Sequence, residues 1–201
     1  MFQTPAIVVA ITLGLCGGGA AFQAFTVPSR SMEPTVLKGD YLMVRRLDGD
    51  LPKRGDVIVY RQPLNGYNYV KRVIGLPGER VQIIQGQVYV NDKAWALEKL
   101  PGAIEAGPGG GSRPVLRWRE TNADGRKYRI NDYGPDGDLD NTEVYEVPPG
   151  QYFVMGDNRD NSLDSRVPAD QGGGFVPASN VIGAVYFRLG FGALGSGGAG
   201  H

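Results

Sequence analysis

Tyr67-Asn68-Tyr69-Val70-Lys71-Arg72-Val73-Ile74 is a run of aromatic and β-branched residues with two basic side chains in its middle. Such residues fit a pleated, half-buried surface, and Gly75 and Pro77 punctuate the end of the run. It reads as a strand. Successive strand side chains point to opposite faces, so Lys71 and Arg72 must diverge. One can sit in an apolar cleft while the other stays paired or solvated.

The same pattern extends to both sides. Asp40–Arg45 and Asp56–Arg61 are rich in Val, Ile and Tyr and are separated by Gly, Pro and Asn turns. Arg80–Ile84 and Gln87–Val90 flank Gln85-Gly86, a hairpin signal. Leu116–Glu120 and Tyr128–Asn131 flank Asn122-Ala123-Asp124-Gly125 as a second, more polar hairpin, and Val144–Val147, Gln151–Met155 and Asn180–Leu189 complete the set. Beyond the N-terminal run no stretch sustains a helical apolar period. The 201 residues, with 31 Gly and 14 Pro spread as short turns, suit one principal, mainly β domain. We place it at 27–189, as a core of coiled antiparallel sheet with a smaller β insertion at about 91–146. Within that insertion Gly102–Pro114 is Gly/Pro-rich and reads as a mobile loop. The tail at 190–201 is almost all Gly, Ala and Ser and reads as disordered.

From Met1 to Ser29 there is no charged side chain. Ala6–Phe25 is about the twenty residues that cross a bilayer as one helix, so 1–26 is read as a membrane anchor. A cleaved secretory signal is the alternative, with small residues at Ala20-Ala21 near a possible cleavage point, but no basic segment precedes the run. Gly14-Leu15-Cys16-Gly17-Gly18 contains a small-xxx-small spacing that is weak in so glycine-rich a helix. Arg30, Lys38, Arg45 and Arg46 follow the run while none precede it, which by the charge rule alone puts the following domain inside the cell.

Lys+Arg and Asp+Glu balance at 21 each, leaving no long-range field to gather nucleic acid. The lone cysteine, Cys16, excludes an intramolecular disulfide. The lone histidine, His201, lies on the glycine-rich tail, so no histidine is placed for a Ser-His or Cys-His machine. A serine nucleophile with a lysine base needs no histidine. Ser31 stands in a tight, Pro-flanked segment, Pro28-Ser29-Arg30-Ser31-Met32-Glu33-Pro34-Thr35. Lysine is a base only when neutral, and at an ordinary pKa only about a few molecules per thousand are so near pH 8. Burial lowers that pKa at about 1.4 kcal/mol per unit, and Tyr69, Val70, Val73 and Ile74 supply apolar company. For an isolated strand lysine a solvated edge position is the bland reading; with Ser31 in its context, Lys71 reads as the base.

A third segment, Gly156-Asp157-Asn158-Arg159-Asp160-Asn161-Ser162-Leu163-Asp164-Ser165-Arg166, follows the apolar run Tyr152–Met155. It lacks calcium-loop spacing and reads as a buried polar network supporting the site. Asp136-Gly137-Asp138-Leu139-Asp140-Asn141 reads as a plain turn. Trp95 and Trp118 suit either a bilayer interface or burial under the insertion.

Ser-Met-x-Pro-Thr at Ser31–Thr35, Lys-Arg-Val-x-Gly-x-Pro-Gly at Lys71–Gly78 and the Gly156–Arg166 segment together resemble the bacterial type I signal peptidases, in order and spacing as well as in residues. The resemblance spans Val27–Arg166 and omits the insertion and the tail. It implies a Ser31 nucleophile, a Lys71 general base, and Ser162 hydrogen-bonded to Lys71 to orient it. It implies an oxyanion hole of the Ser31 backbone N–H and the Ser29 hydroxyl. Asp164, Arg166 and Arg72 are implied as structural ion pairs. Val27, Met32, Val36 and Val70 would line shallow apolar subsites for small residues, and the edge of the Lys71 strand could take an extended substrate. No metal or organic cofactor is asked for. The implied partners are preprotein signal peptides and the lipid bilayer, with no nucleic acid and no obligate protein partner. The implied location is the plasma membrane, single-pass, with the catalytic domain on the extracytoplasmic side, against the charge rule. Arg30 stands where many relatives carry a small residue. Rival readings are a specialised peptidase for one or few exported substrates, such as a pilin processor, and a catalytically dead tethered binding protein.

Overall fold

The computed structural model describes residues 9–11, 22–106, 111–135 and 137–190. Among the described residues there are fifteen strands and three short 3-10 turns. The strands are β1 (Val9–Ile11), β2 (Phe22–Thr26), β3 (Tyr41–Arg45), β4 (Val57–Arg61), β5 (Asn68–Gly75), β6 (Arg80–Ile84), β7 (Gln87–Val90) and β8 (Lys93–Ala94). They continue as β9 (Ala96–Ala106), β10 (Ser112–Thr121), β11 (Lys127–Asp132), β12 (Tyr145–Glu146), β13 (Gln151–Met155), β14 (Val176–Pro177) and β15 (Val181–Leu189). The mainly β expectation holds. Every paired ladder between named strands is antiparallel.

The large sheet has eight strands in the order β1-β2-β3-β15-β4-β5-β13-β14. β5 is central, and seven of its eight residues are buried, because both faces are covered. One face joins Ile58, Tyr60, Tyr69, Val73, Tyr152 and Val154 in a single apolar cluster. A second cluster gathers Phe25, Val27, Met32, Val36, Leu42, Val44, Val59 and Val70. Register shifts in β15 between Val185 and Phe187 and in β13 between Phe153 and Val154 are the irregularities by which such a sheet curls. A four-stranded sheet, β12-β6-β7-β8, packs its own cluster around Ile83, Val88 and Trp95, and a three-stranded sheet, β11-β10-β9, lies within 91–146. Trp95 is buried, which settles its reading in favour of the interior.

Two expectations are corrected. The helix read over Ala6–Phe25, with the anchor drawn to residue 26, cannot include its C-terminal part. Phe22–Thr26 is strand β2, paired along its length with β3, and Ala24 and Phe25 are core residues. A charge-free apolar stretch satisfies either geometry, and the partner strand decides. Val9–Ile11 is likewise a strand, paired with β2. Among the described residues no helix is long and apolar enough to cross a membrane. Cys16, the small-xxx-small spacing and the tail with His201 lie outside the described residues. The second correction is Gly102–Pro114, read as a loop, most of which belongs to the long hairpin β9–β10. Its Gly, Pro and Glu content has weak strand preference, but the cross-strand ladder between β9 and β10 supplies what the residues lack.

Candidate active site

Ser31 sits in the connection from β2 to β3. That connection is closed at its base by Val27 N–H donating to Asp40 O (3.0 Å) and Gly39 N–H to Val27 O (2.7 Å). The Asp40 carboxylate accepts from Leu37 N–H (2.7 Å), and Met32 O accepts from Val36 N–H (2.9 Å). Met32, at 0% exposure, plugs the loop into the apolar cluster beneath it. The nucleophile candidate is thus held on a short, tethered turn.

Lys71 comes from the middle of β5, opposite Ile58 of β4. It is 2% exposed, and its Nζ donates to Ser31 Oγ at 2.8 Å and to Val70 O at 3.0 Å. The Tyr69 ring centroid lies 5.8 Å from the amine. No carboxylate among the described residues bonds to it. Burial lowers its pKa from 10.5 to about 8, against the pull of Asp164 and Asp157 and with the help of Arg166. The pairing read from sequence is therefore present as a direct contact between a buried serine and a buried, weakened ammonium.

Ser29 Oγ lies 3.3 Å from Ser31 Oγ and accepts from Ser31 N–H at 3.5 Å. Ser162 is a finding against expectation. Its hydroxyl is buried beside Asp164, whose carboxyl it helps to hold down, and Lys71 is not bonded to it. It does lie beside the site. A methyl group placed on Gly156 would collide with both the Ser162 hydroxyl and Ser31 O, so only glycine lets those groups approach.

Arg72, on the other face of β5, forms a two-point pair with Asp157 (2.8 and 2.6 Å) and donates to Gly55 O (2.8 Å). Its guanidinium carbon stands 3.9 Å from the Tyr128 ring centroid. Asp164 accepts from Arg166 Nε (2.9 Å), Arg166 Nη2 (2.9 Å) and Gly156 N–H (3.0 Å). Burial alone would raise the Asp164 carboxyl, but Arg166 and these bonds hold it below the ordinary range. Val27, Met32, Val36 and Val70 do come together, each at 2% exposure or less, as packed core.

Asn158 and Arg159 are buried, as expected of the third segment, but sequence reading missed their partners Glu105 and Glu120. Arg159 and Glu120 are a fully buried two-point pair (2.9 and 2.7 Å) between the third segment and the insertion. Asn158 N–H donates to Ser31 O (3.0 Å), and its side chain reaches Arg30 O (3.2 Å) and Glu105 (3.0 and 3.2 Å). Acids isolated in an insertion carry no local signal. Only the unusual density of charge in Gly156–Arg166 hinted that partners were needed.

The family model described as signal peptidase, peptidase S26, matches residues 2–190. The chain belongs to the signal peptidase family. Signal peptidase I of Rickettsia typhi (strain ATCC VR-144 / Wilmington) is 36% identical over 194 residues, covering 82% of this chain and 70% of the relative. Signal peptidase I of Rickettsia bellii (strain OSU 85-389) is 33% identical over 194 residues, covering 82% of this chain and 64% of the relative. The crystal structure of a signal peptidase I from Enterococcus faecalis V583 is 26% identical with a TM-score of 0.39, covering 67% of this chain and 96% of that one. As a signal peptidase, this chain is a serine endopeptidase, a hydrolase that cleaves signal peptides.

Proposed function

We propose that this chain is a membrane-bound serine endopeptidase that cuts exported preproteins after small-x-small motifs, with Ser31 as nucleophile and Lys71 as general base. The 2.8 Å contact between Ser31 Oγ and a buried Lys71 Nζ carries the reading. With a pKa of about 8 the amine is neutral in a large fraction of molecules at mildly alkaline pH, and its lone pair then lies within reach of the Ser31 proton. Oγ attacks the scissile carbonyl, and the lysine ammonium returns the proton to the leaving amine. Water then hydrolyses the acyl-serine by the same exchange in reverse.

The oxyanion is received by Ser31 N–H and the Ser29 hydroxyl, which now face one another at 3.5 Å and must turn toward substrate together. Ser162 is retained as the group that orients Lys71. Its hydroxyl is buried beside the site and is not bonded to Lys71, so the two must come together when the base turns to substrate. β13 pairs with β5 only from Arg72 onward, so the Asn68–Lys71 edge is available to an extended substrate. The floor of the subsites for small side chains is the packed group Val27, Met32, Val36 and Val70, which offers apolar contact without depth. Anchoring to the bilayer by the N-terminal run, with the catalytic domain outside the cytoplasm, completes the proposal.

The experiment is cleavage of a preprotein in detergent by the wild type, Ser31→Ala and Lys71→Ala, with the new N-terminus sequenced. Cutting after a small-x-small site, lost in both variants, is expected; activity surviving in either removes the dyad. Alkaline extraction of membranes and protease accessibility of the catalytic domain check the placement.

A further inference from the structure

One side chain of the insertion, Glu105, is linked to the Ser31 loop by way of Asn158. Glu105 lies near the end of β9, 8% exposed, opposite Arg113 on β10. Its carboxylate accepts from Asn158 Nδ2 (3.0 and 3.2 Å) and from Tyr133 Oη (3.4 Å to each oxygen). Arg113 stands 4.1 Å from the Tyr133 ring centroid, so the carboxylate has a cation nearby without bonding to it. Asn158 itself is 0% exposed. The same amide nitrogen donates to Arg30 O, and the Asn158 backbone N–H donates to Ser31 O.

Both neighbours of that amide nitrogen are acceptors. A side-chain amide has only one end that donates, so this pair of acceptors fixes which way the Asn158 amide faces. The fixed amide holds the carbonyl of Arg30 while the backbone N–H of the same residue holds that of Ser31, so two successive carbonyls of the loop depend on the seating of Asn158. Those carbonyls set the planes of the peptides on either side of Ser31. The first plane aims the Ser31 N–H, and both together aim the Ser31 side chain.

We propose that Glu105 is a positioning residue for peptide-bond cleavage, acting through Asn158 to fix the backbone on both sides of Ser31. This rests on the reading of Ser31 as nucleophile. Glu105 is not among the charges that set the Lys71 pKa, which are Asp164, Asp157 and Arg166. Its loss should therefore slow the reaction without moving the pH at which the base loses its proton. A misplacement of about 1 Å at the reacting atoms costs on the order of a hundredfold in rate, and a smaller one correspondingly less.

The test is steady-state cleavage by the full chain carrying Glu105→Ala, Glu105→Gln or Glu105→Asp, beside Ser31→Ala and the surface variant Glu98→Gln. Glu105→Ala should lower kcat about tenfold to a hundredfold, with KM within about twofold and the acidic limb of the kcat profile unmoved. Glu105→Gln keeps one oxygen in place and should recover most of the rate. Glu105→Asp keeps the charge but withdraws it by one methylene and should stay slow. Should Glu105→Ala fail to fold, the contrast between Gln and Asp carries the test, because a need for charge alone predicts the opposite order. Glu98→Gln, on the exposed side of the same hairpin, should match wild type. A folded Glu105→Ala with wild-type kcat, or Gln slower than Asp, overturns the proposal while an inactive Ser31→Ala leaves the nucleophile standing. An active Ser31→Ala removes both.

Discussion

Two basic residues adjacent in the chain, on opposite faces of β5, meet opposite fates. Lys71 is 2% exposed and Arg72 is 5% exposed, so burial penalises both charges. Around Arg72 the penalty is overcome. Asp157 matches its fork at two points, Tyr128 lies under it, and the guanidinium holds its proton more firmly than it would in water. Around Lys71 it is not. The nearest carboxylates, Asp164 and Asp157, are already paired with Arg166 and Arg72, and the amine meets only a hydroxyl and a carbonyl. Burial does not decide whether a cation becomes a brace or a base; the allotment of carboxylates does.

The comparison breaks most visibly at Asp157. Asp157→Ala leaves Arg72 buried without its counter-charge and should cost about 3–5 kcal/mol in urea unfolding. Lys71→Met should do the reverse. The lowering from 10.5 to about 8 corresponds to about 3 kcal/mol of penalty carried by the wild type, an upper value for the gain at pH 7. Between those two values the unfolded chain holds the extra proton, so wild-type stability rises with pH across the window. The advantage of Lys71→Met is thus full below about pH 8 and gone above 10.5, which unfolding at several pH values will show. Tyr128→Phe keeps the ring against Arg72 but removes the hydroxyl that donates to buried Glu120 at 2.6 Å, and should cost about 1–2 kcal/mol by thermal or urea unfolding. Glu98→Gln removes an exposed partner of Arg119 and should change stability by less than about 0.5 kcal/mol, which fixes the baseline for a pair left in water.

Much of the sheet was legible. Arg80–Ile84, Gln87–Val90 and Gln151–Met155 form strands with the bounds their residues suggested, and Tyr67–Ile74 is shifted by one residue at each end. In these segments side-chain preference and tertiary pairing agree. β2 and β9 were not legible, for different reasons. The polar residues of Phe22–Thr26, Gln23 and Thr26, stand three apart and do not mark a strand's period of two, so a helix and a strand explain the segment equally. β9, with Glu98, Lys99, Pro101 and Gly102, argues against a strand locally and becomes one through β10. At the site, the contact between Ser31 and Lys71 was readable because both residues lie in dense motifs. The links from Glu105 and Glu120 to Asn158 and Arg159 were not, because each joins residues far apart in the chain with no pattern around the acid.

β15 lies between β3 and β4 in the large sheet. The Ser31 loop belongs to the side of β2 and β3, and Lys71 to the side of β4 and β5. During translation both residues leave the ribosome early, yet the ladder that makes their two half-sheets continuous is supplied by residues 181–189, the last strand described. The frame that joins the two residues is therefore closed only once residues 181–189 are made: the chemistry is encoded first, and of the described strands the one that links its two half-sheets comes last.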